Sequence, residues 1–334
     1  MKTRSSKQIR QAMKGAAAFW TAAWLPLVKA IPTPSPAGRV VEVEAFGSNP
    51  GGLRMFVYAP PKKLPAGAPL IVVLHGCGQS ASSFARNSGW IALAQRIGAA
   101  LLLPEQTTKN SHGRCFNWYQ PGDVRRGGGE AMSIRQMVRV AIARYKSDPR
   151  RVFIVGLSAG GAMAAAMLAA YPAVFAAGAI VAGVPVGAAY NSASALLRMR
   201  RADGLMNRRT LAESVRRAAP PTVKPRAWPR VSIWQGERDQ LVDPRNGEAL
   251  AIQWSELHGF GGTPNADTTP RPGVRRRVWS TPRRAAVEIW TVAEMGHGFP
   301  VDSAAADGGR EGFGVLNTGL PAARLIADFW GIGA

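Results

Sequence analysis

Ser158 stands at the centre of Gly156-Leu157-Ser158-Ala159-Gly160, between the strand-like run "RVFIVG" and an alanine-rich helical run. Alone, G-x-S-x-G is a common pattern. Between a strand and a helix it describes a nucleophile elbow, a strained turn whose small neighbours leave the hydroxyl exposed. The alternative without chemistry is a glycine-rich turn with an N-capping serine. A serine hydroxyl is almost wholly protonated at neutral pH, so it needs a base and a group that orients that base. The chain has four histidines. His75 precedes the serine, His112 lies in a polar loop and His258 ends a helical run. His297, in "EMGHGFP", follows a late strand on a glycine-flanked loop and is the expected base. The acid belongs between serine and histidine in chain order. Glu237, Asp239 and Asp243 all follow or close the strand-like "RVSIWQG". Asp239 sits near the strand end, whereas Asp243 precedes Pro244 and also reads as a helix N-cap. Asp239 is therefore the expected orienting acid.

Acyl transfer also needs two N–H donors for the oxyanion. The residue after the nucleophile, Ala159, should supply one. The loop "HGCGQS", directly after the apolar "PLIVVL", should supply the other. It stands where esterases of this kind carry a His-Gly-Gly-Gly type loop, which points to the backbone amide of Cys77. Cys77 can also be read as a nucleophile, a metal ligand or half of a bridge. Ser158 and His297 displace the first reading, and no ligand set supports the second. With two cysteines in the chain, a disulfide scaffold and a multi-cysteine zinc site are excluded, and one bridge remains open. No metal or organic cofactor is expected. Trp118 and Tyr119, just after Cys115, either line a substrate site or simply pack their loop.

These residues require a scaffold that alternates strands and helices. "VVEVEAF" and "LRMFVYAP" read as an antiparallel pair around the turn "GSNPGG". Then come "PLIVVLHG" as a strand, "SFARNSGWIALAQRIG" as a helix, "AALLLPE" as a strand and "GEAMSIRQMVRVAIARYKS" as a helix. Further strands are "RVFIVG", "FAAGAIVAG", "RVSIWQG" and "AVEIWTVAEMG", with a last helix at "AARLIADFWG". Continuous apolar strands separated by helices predict an α/β fold, a mostly parallel sheet covered on both faces. Residues of about 185–229 interrupt the alternation and read as a cap-like insertion over the C-terminal strand ends, where open α/β sheets bind ligands. The catalytic unit is expected over 39–334.

The chain of 334 residues carries 42 Lys and Arg against 20 Asp and Glu, a net charge of +22. Arginine groups at 198–217 and 275–284 fall outside the strand-like runs and are expected on the solvated surface. No recognition motif accompanies the charge, so nucleic acid is not an expected partner. Residues 1–38 join basic positions through Lys14, the apolar "GAAAFWTAAWLPLV" and the proline linker "AIPTPSPAG". They read equally as a secretory signal or as a basic amphipathic helix lying on a membrane or polymer granule. Localisation follows that choice: extracellular or cell envelope in the first case, intracellular and surface-bound in the second.

Several longer segments carry a resemblance: "LHGCGQSASSFA", "RCFNWYQPGDVRRGGGEAMSIRQMV", "DPRRVFIVGLSAGGAMAAAMLAAYPAVFAAGAIVAGVP", "WQGERDQLVDPRNGEALAIQW" and "MGHGFPVD". From about Gly52 to Gly331 the chain resembles the short-chain polyhydroxybutyrate depolymerase-type esterases, relatives of feruloyl and acetylxylan esterases. The resemblance implies the α/β-hydrolase fold and a triad of Ser158, Asp239 and His297. The family's "HGxxD" falls on Gln235 to Asp239, favouring Asp239 over Asp243. Gln235 replaces the family's histidine at a position not expected to be catalytic. The resemblance further implies a disulfide between Cys77 and Cys115. The expected substrates are polyester oligomers of short hydroxy acids first, then feruloyl or acetyl esters on polysaccharide. A granule-coating adhesion protein is the expectation from outside enzymology, and an intact triad argues against it. The chain ends at "FWGIGA" without a polymer-binding module, so attack on insoluble polymer is expected only if the basic N-terminus adheres to it.

Overall fold

The computed structural model describes residues 38–204, 207–221 and 228–333. The signal-like or amphipathic segment expected before the catalytic unit therefore lies outside the described residues, apart from Gly38.

The predicted antiparallel pair is present as β1 (Val40–Val43) and β2 (Arg54–Tyr58). The central strands are β3 (Leu70–Leu74), β4 (Ala100–Glu105), β5 (Val152–Leu157), β6 (Ala177–Val181), β7 (Arg230–Gly236) and β10 (Ala285–Val292). They run parallel in the spatial order β4-β3-β5-β6-β7-β10. Along β3, Leu70, Val72 and Leu74 enter one apolar layer, and Ile71 and Val73 enter the other. Burial on both faces is why these strands read as unbroken hydrophobic runs rather than alternating ones.

Helices cover both faces. On one side lie α4 (Gly129–Tyr145), α5 (Ala159–Ala170), α7 (Arg208–Ala218) and α8 (Arg245–Leu257). On the other lie α1 (Ala81–Asn87), α2 (Trp90–Ile97) and α9 (Ala322–Trp330). A short α3 (Pro121–Val124) precedes α4. The interruption between β6 and β7 contains α6 (Ser192–Arg200) and α7, and α7 packs against α5 and α8. Among the described residues no helix is long and apolar enough to cross a membrane.

Two expectations need correction. The single helix expected over "SFARNSGWIALAQRIG" is α1 and α2, broken at Gly89, whose φ of 85° ends the helical path. A left-handed turn of this kind suits glycine, which has no Cβ to clash. The second concerns Arg275, Arg276 and Arg277, which do not lie outside strands. They form the middle of β9 (Val274–Ser280), paired antiparallel with β10 on one side and with β8 (Ala266–Arg271) on the other. Each meets an acid: Arg275 pairs with Asp267 at 2.6 Å, Arg276 with Glu288 at 2.7 Å, and Arg277 with Glu248. Two ion pairs to neighbouring strands and one to α8 replace the apolar alternation that would have marked a strand. A separate parallel pair, β11 (Phe299–Val301) and β12 (Val315–Asn317), follows the late loop.

Candidate active site

Ser158 joins β5 to α5 with φ 57° and ψ −120°. Positive φ on a residue with a Cβ is strained and persists only where packing enforces it. The enforcement is visible in its neighbours. A Cβ at Gly156 would collide with the Gly160 carbonyl, and one at Gly160 with the carbonyls of Leu74 and His75. Strand and helix can thus meet only because both positions are glycine. The Ser158 amide donates to Val181 O at 2.8 Å, fixing the elbow to β6. Its side chain makes no capping bond to α5, contrary to the N-cap alternative.

The loops after β7 and β10 bring Asp239 and His297 together. His297 Nδ1 lies 2.7 Å from Asp239 Oδ2, and both side chains are almost fully buried. The carboxylate is held from three further directions. Leu241 N and Val242 N donate to Oδ1 at 2.9 and 2.8 Å, and Gln235 Nε2 donates to Oδ2 at 3.2 Å. Arg238 N donates to Met295 O at 3.0 Å, tying the acid loop to the histidine loop. Asp243 is elsewhere. Its carboxylate accepts from the guanidinium and backbone N–H of Arg245 and from Ala202 N. The helix it was expected to cap has Pro244 at its N-cap, one residue later, though Asp243 still bonds a first-turn amide.

The loop after β3 carries Cys77, joined by a disulfide to Cys115. Most of its amides are occupied. Gly76 N donates to Gln79 Oε1 at 2.7 Å, Gly78 N to Gly113 O at 2.7 Å and Gln79 N to Gly76 O at 3.3 Å. The Cys77 amide is given no such protein partner among the described residues, and the Ala159 amide begins α5, where first-turn N–H groups lack intrahelical acceptors. His75 is not a base for this site. It is fully buried, its Nδ1 meets Gly76 O at 2.7 Å and its Nε2 accepts from Gln106 N at 3.1 Å. Burial drives its pKa down to about 4, which keeps the ring neutral.

A narrow cavity opens beside Ser158, walled by Trp118, Ala159, Val184, Met199 and Val242. Trp118 thus reaches the cavity, while Tyr119 lies against it edge-on at 5.5 Å and packs outside that wall. Sequence reasoning missed Met199, which α6 of the interruption delivers, and Gln235, whose place in the "HGxxD" pattern pointed at it.

The sequence profile of the family described as "Esterase PHB depolymerase" matches residues 53–277. Poly(3-hydroxyalkanoate) depolymerase C of Paucimonas lemoignei is 36% identical over 325 aligned positions, covering 92% of this chain and 73% of that one. The chain belongs to this esterase family. It is a serine carboxylic ester hydrolase. An acetylxylan esterase of Coprinopsis cinerea is 32% identical over 273 positions, covering 79% of this chain and 70% of the other. The solved acetyl xylan esterase from Aspergillus awamori superimposes with a TM-score of 0.75 at 21% identity, across 88% of this chain and 100% of that one. That likeness shows the fold, an α/β-hydrolase arrangement of a mostly parallel sheet between two layers of helices.

Proposed function

We propose that the protein hydrolyses esters of short hydroxyalkanoic acids, such as polyhydroxybutyrate oligomers, through an acyl-enzyme on Ser158. The observation that carries this reading is the 2.7 Å pair of His297 and Asp239, on the same sheet edge as the Ser158 elbow. With Nδ1–H donated to Asp239, the His297 lone pair resides on Nε2. Ser158 Oγ adds to the ester carbonyl carbon and its proton passes to Nε2. Asp239 steadies the imidazolium, and the amides of Cys77 and Ala159 hold the oxyanion. Collapse expels the alcohol, protonated by His297. Water then adds to the acyl-enzyme with His297 again as base, releasing the acid and restoring Ser158.

The narrow, mostly apolar walls beside Ser158 support a small acyl group, and the 36% identity to a poly(3-hydroxyalkanoate) depolymerase supports a hydroxyalkanoyl one. Acetylated polysaccharide is the second reading, favoured by the 32% identity to an acetylxylan esterase. The interruption at 185–229 acts as a cap in this proposal, since Met199 from it closes the cavity. The disulfide favours an oxidising compartment, outside the cytosol or in the cell envelope.

Initial rates on p-nitrophenyl butyrate, for the protein and for Ser158→Ala, test the mechanism, and equal rates would sink it. A panel of hydroxybutyrate oligomers, polymer film, methyl ferulate and acetylated xylan tests the substrate. Oligomers should give the highest kcat/KM. Preference for methyl ferulate would contradict the short-acyl reading.

A further inference from the structure

Behind the oxyanion loop lies a buried polar network that the mechanism above does not use. Its centre is Glu130, in the first turn of α4, fully buried and in no ion pair among the described residues. One carboxyl oxygen accepts from Asn117 N at 2.9 Å, and the other from Gln106 Nε2. The same Gln106 amide donates to Cys115 O at 3.0 Å, and the Gln106 backbone N–H donates to His75 Nε2. The carboxyl therefore grips the chain on both sides of Cys115, and Cys115 is bonded to Cys77. His75, on the other arm, is two residues from Cys77 and bonds the carbonyl of Gly76. Both routes lead to the peptide that would hold the oxyanion.

We propose that Glu130 is a positioning residue for acyl transfer, which aims the Cys77 amide through Gln106, His75 and the Cys115–Asn117 segment. This rests on the oxyanion role given to Cys77 under the proposed function. A buried carboxyl with no cation opposite is costly to ionise. Burial is the main cause that raises the Glu130 pKa to about 8, with nearby Asp123 adding to it. The other titratable groups around it do not offset this. Asp123 on α3 is itself shifted up by burial, Tyr119 on the preceding loop is shifted up, and His75 at the end of β3 is neutral. Glu130 thus changes charge within the working range of a hydrolase. A carboxylate accepts more strongly than a carboxylic acid, so the loop is held more firmly above that point.

The test is kcat as a function of pH, per Ser158 site counted by titration with a phosphonate ester. Wild type, Glu130→Gln and Gln106→Leu are compared on p-nitrophenyl butyrate, with Ser158→Ala, which has no site to titrate, compared per mole of protein. Wild-type kcat should rise through a step centred near pH 8, and that step should vanish in Glu130→Gln. Glu130→Gln and Gln106→Leu should each lower kcat by about tenfold, less than outright loss of an oxyanion donor, with KM changed less than twofold. A purely architectural role would reduce the number of titratable sites and leave kcat per site unchanged in both variants. That result, or an unaltered step near pH 8 in Glu130→Gln, overturns the inference. Should Glu130→Gln fail to fold, Gln106→Leu decides: kcat per site within twofold of wild type overturns it, and a tenfold loss sustains it. Full activity of Ser158→Ala would instead overturn the proposed function itself.

Discussion

The two halves of the active site are held in different ways. The acid–base half, Asp239 and His297, sits on short loops after β7 and β10. One carboxylate there receives two backbone amides, an amide side chain and an imidazole. The proposed oxyanion half carries a covalent bridge, and behind it lies a second carboxyl, Glu130, with two donors and, among the described residues, no cation. In the proposed mechanism Asp239 orients His297, and its donors hold it for that task. As a positioning residue Glu130 would act only through the loop that supplies its donors. The two buried carboxyls would then do unlike work, set by what surrounds each of them.

The largest effect that would break this contrast is at the nucleophile and its partners. Ser158→Ala should lower kcat by on the order of 10⁶-fold, and Asp239→Asn by about 10⁴-fold. Asp243→Asn should change kcat less than threefold, because that carboxylate faces Arg245 and Ala202 rather than His297. Steady-state rates on p-nitrophenyl butyrate check all three, and equal losses at Asp239 and Asp243 would undo the assignment.

Next is the bridge. Reduction, or Cys115→Ser, should cost about 2–4 kcal/mol of stability by freeing a 38-residue separation. Turnover should drop several-fold while Ser158 still takes up the phosphonate label. Denaturant midpoints and labelling yields report the two separately.

Smaller effects follow from titration. Glu130 binds its proton more tightly folded than unfolded, so its stabilising contribution is full below about pH 4.5 and is lost as pH rises through about 8. His75 has the opposite sign, since its depressed pKa costs stability as pH falls from about 6.5 through 4. Above pH 6.5 the Glu130 slope therefore acts without the His75 slope. Between pH 6.5 and 8 wild type should lose roughly 2 kcal/mol more than Glu130→Gln, measured by urea unfolding at each pH. Parallel curves would remove Glu130 from the account. The smallest change is expected at Gln235→Leu. It removes one of four contacts to Asp239 and should lower kcat about two- to fivefold, with KM unaffected. A loss as large as that of Asp239→Asn would make Gln235 part of the acid itself.

Much of this site was legible because its chemistry is written locally. The elbow needs Gly156 and Gly160 within two residues of Ser158, and the triad follows strand ends in a fixed chain order. The parallel strands were legible because both of their faces are buried. What stayed hidden depends on distant partners. Arg276 reads as a surface residue until β10 brings Glu288 within 2.7 Å of it, with that carboxylate side chain only 1% exposed. Nothing in the sequence marks Glu130 among the polar residues of its helical run. Only the packed fold shows it enclosed beneath the Cys115 loop. Gln235 lay between these cases: its position was marked by the family pattern, but its bond to Asp239 was not.

Ser158 is the residue proposed to form the acyl-enzyme. Acid-quenching the protein in the presteady state with p-nitrophenyl butyrate, followed by mass spectrometry of its peptides, tests this directly. One butyryl group per molecule is expected, on the peptide containing Ser158, and none in Ser158→Ala. A butyryl group on any other residue, or turnover without a covalent adduct, would contradict it.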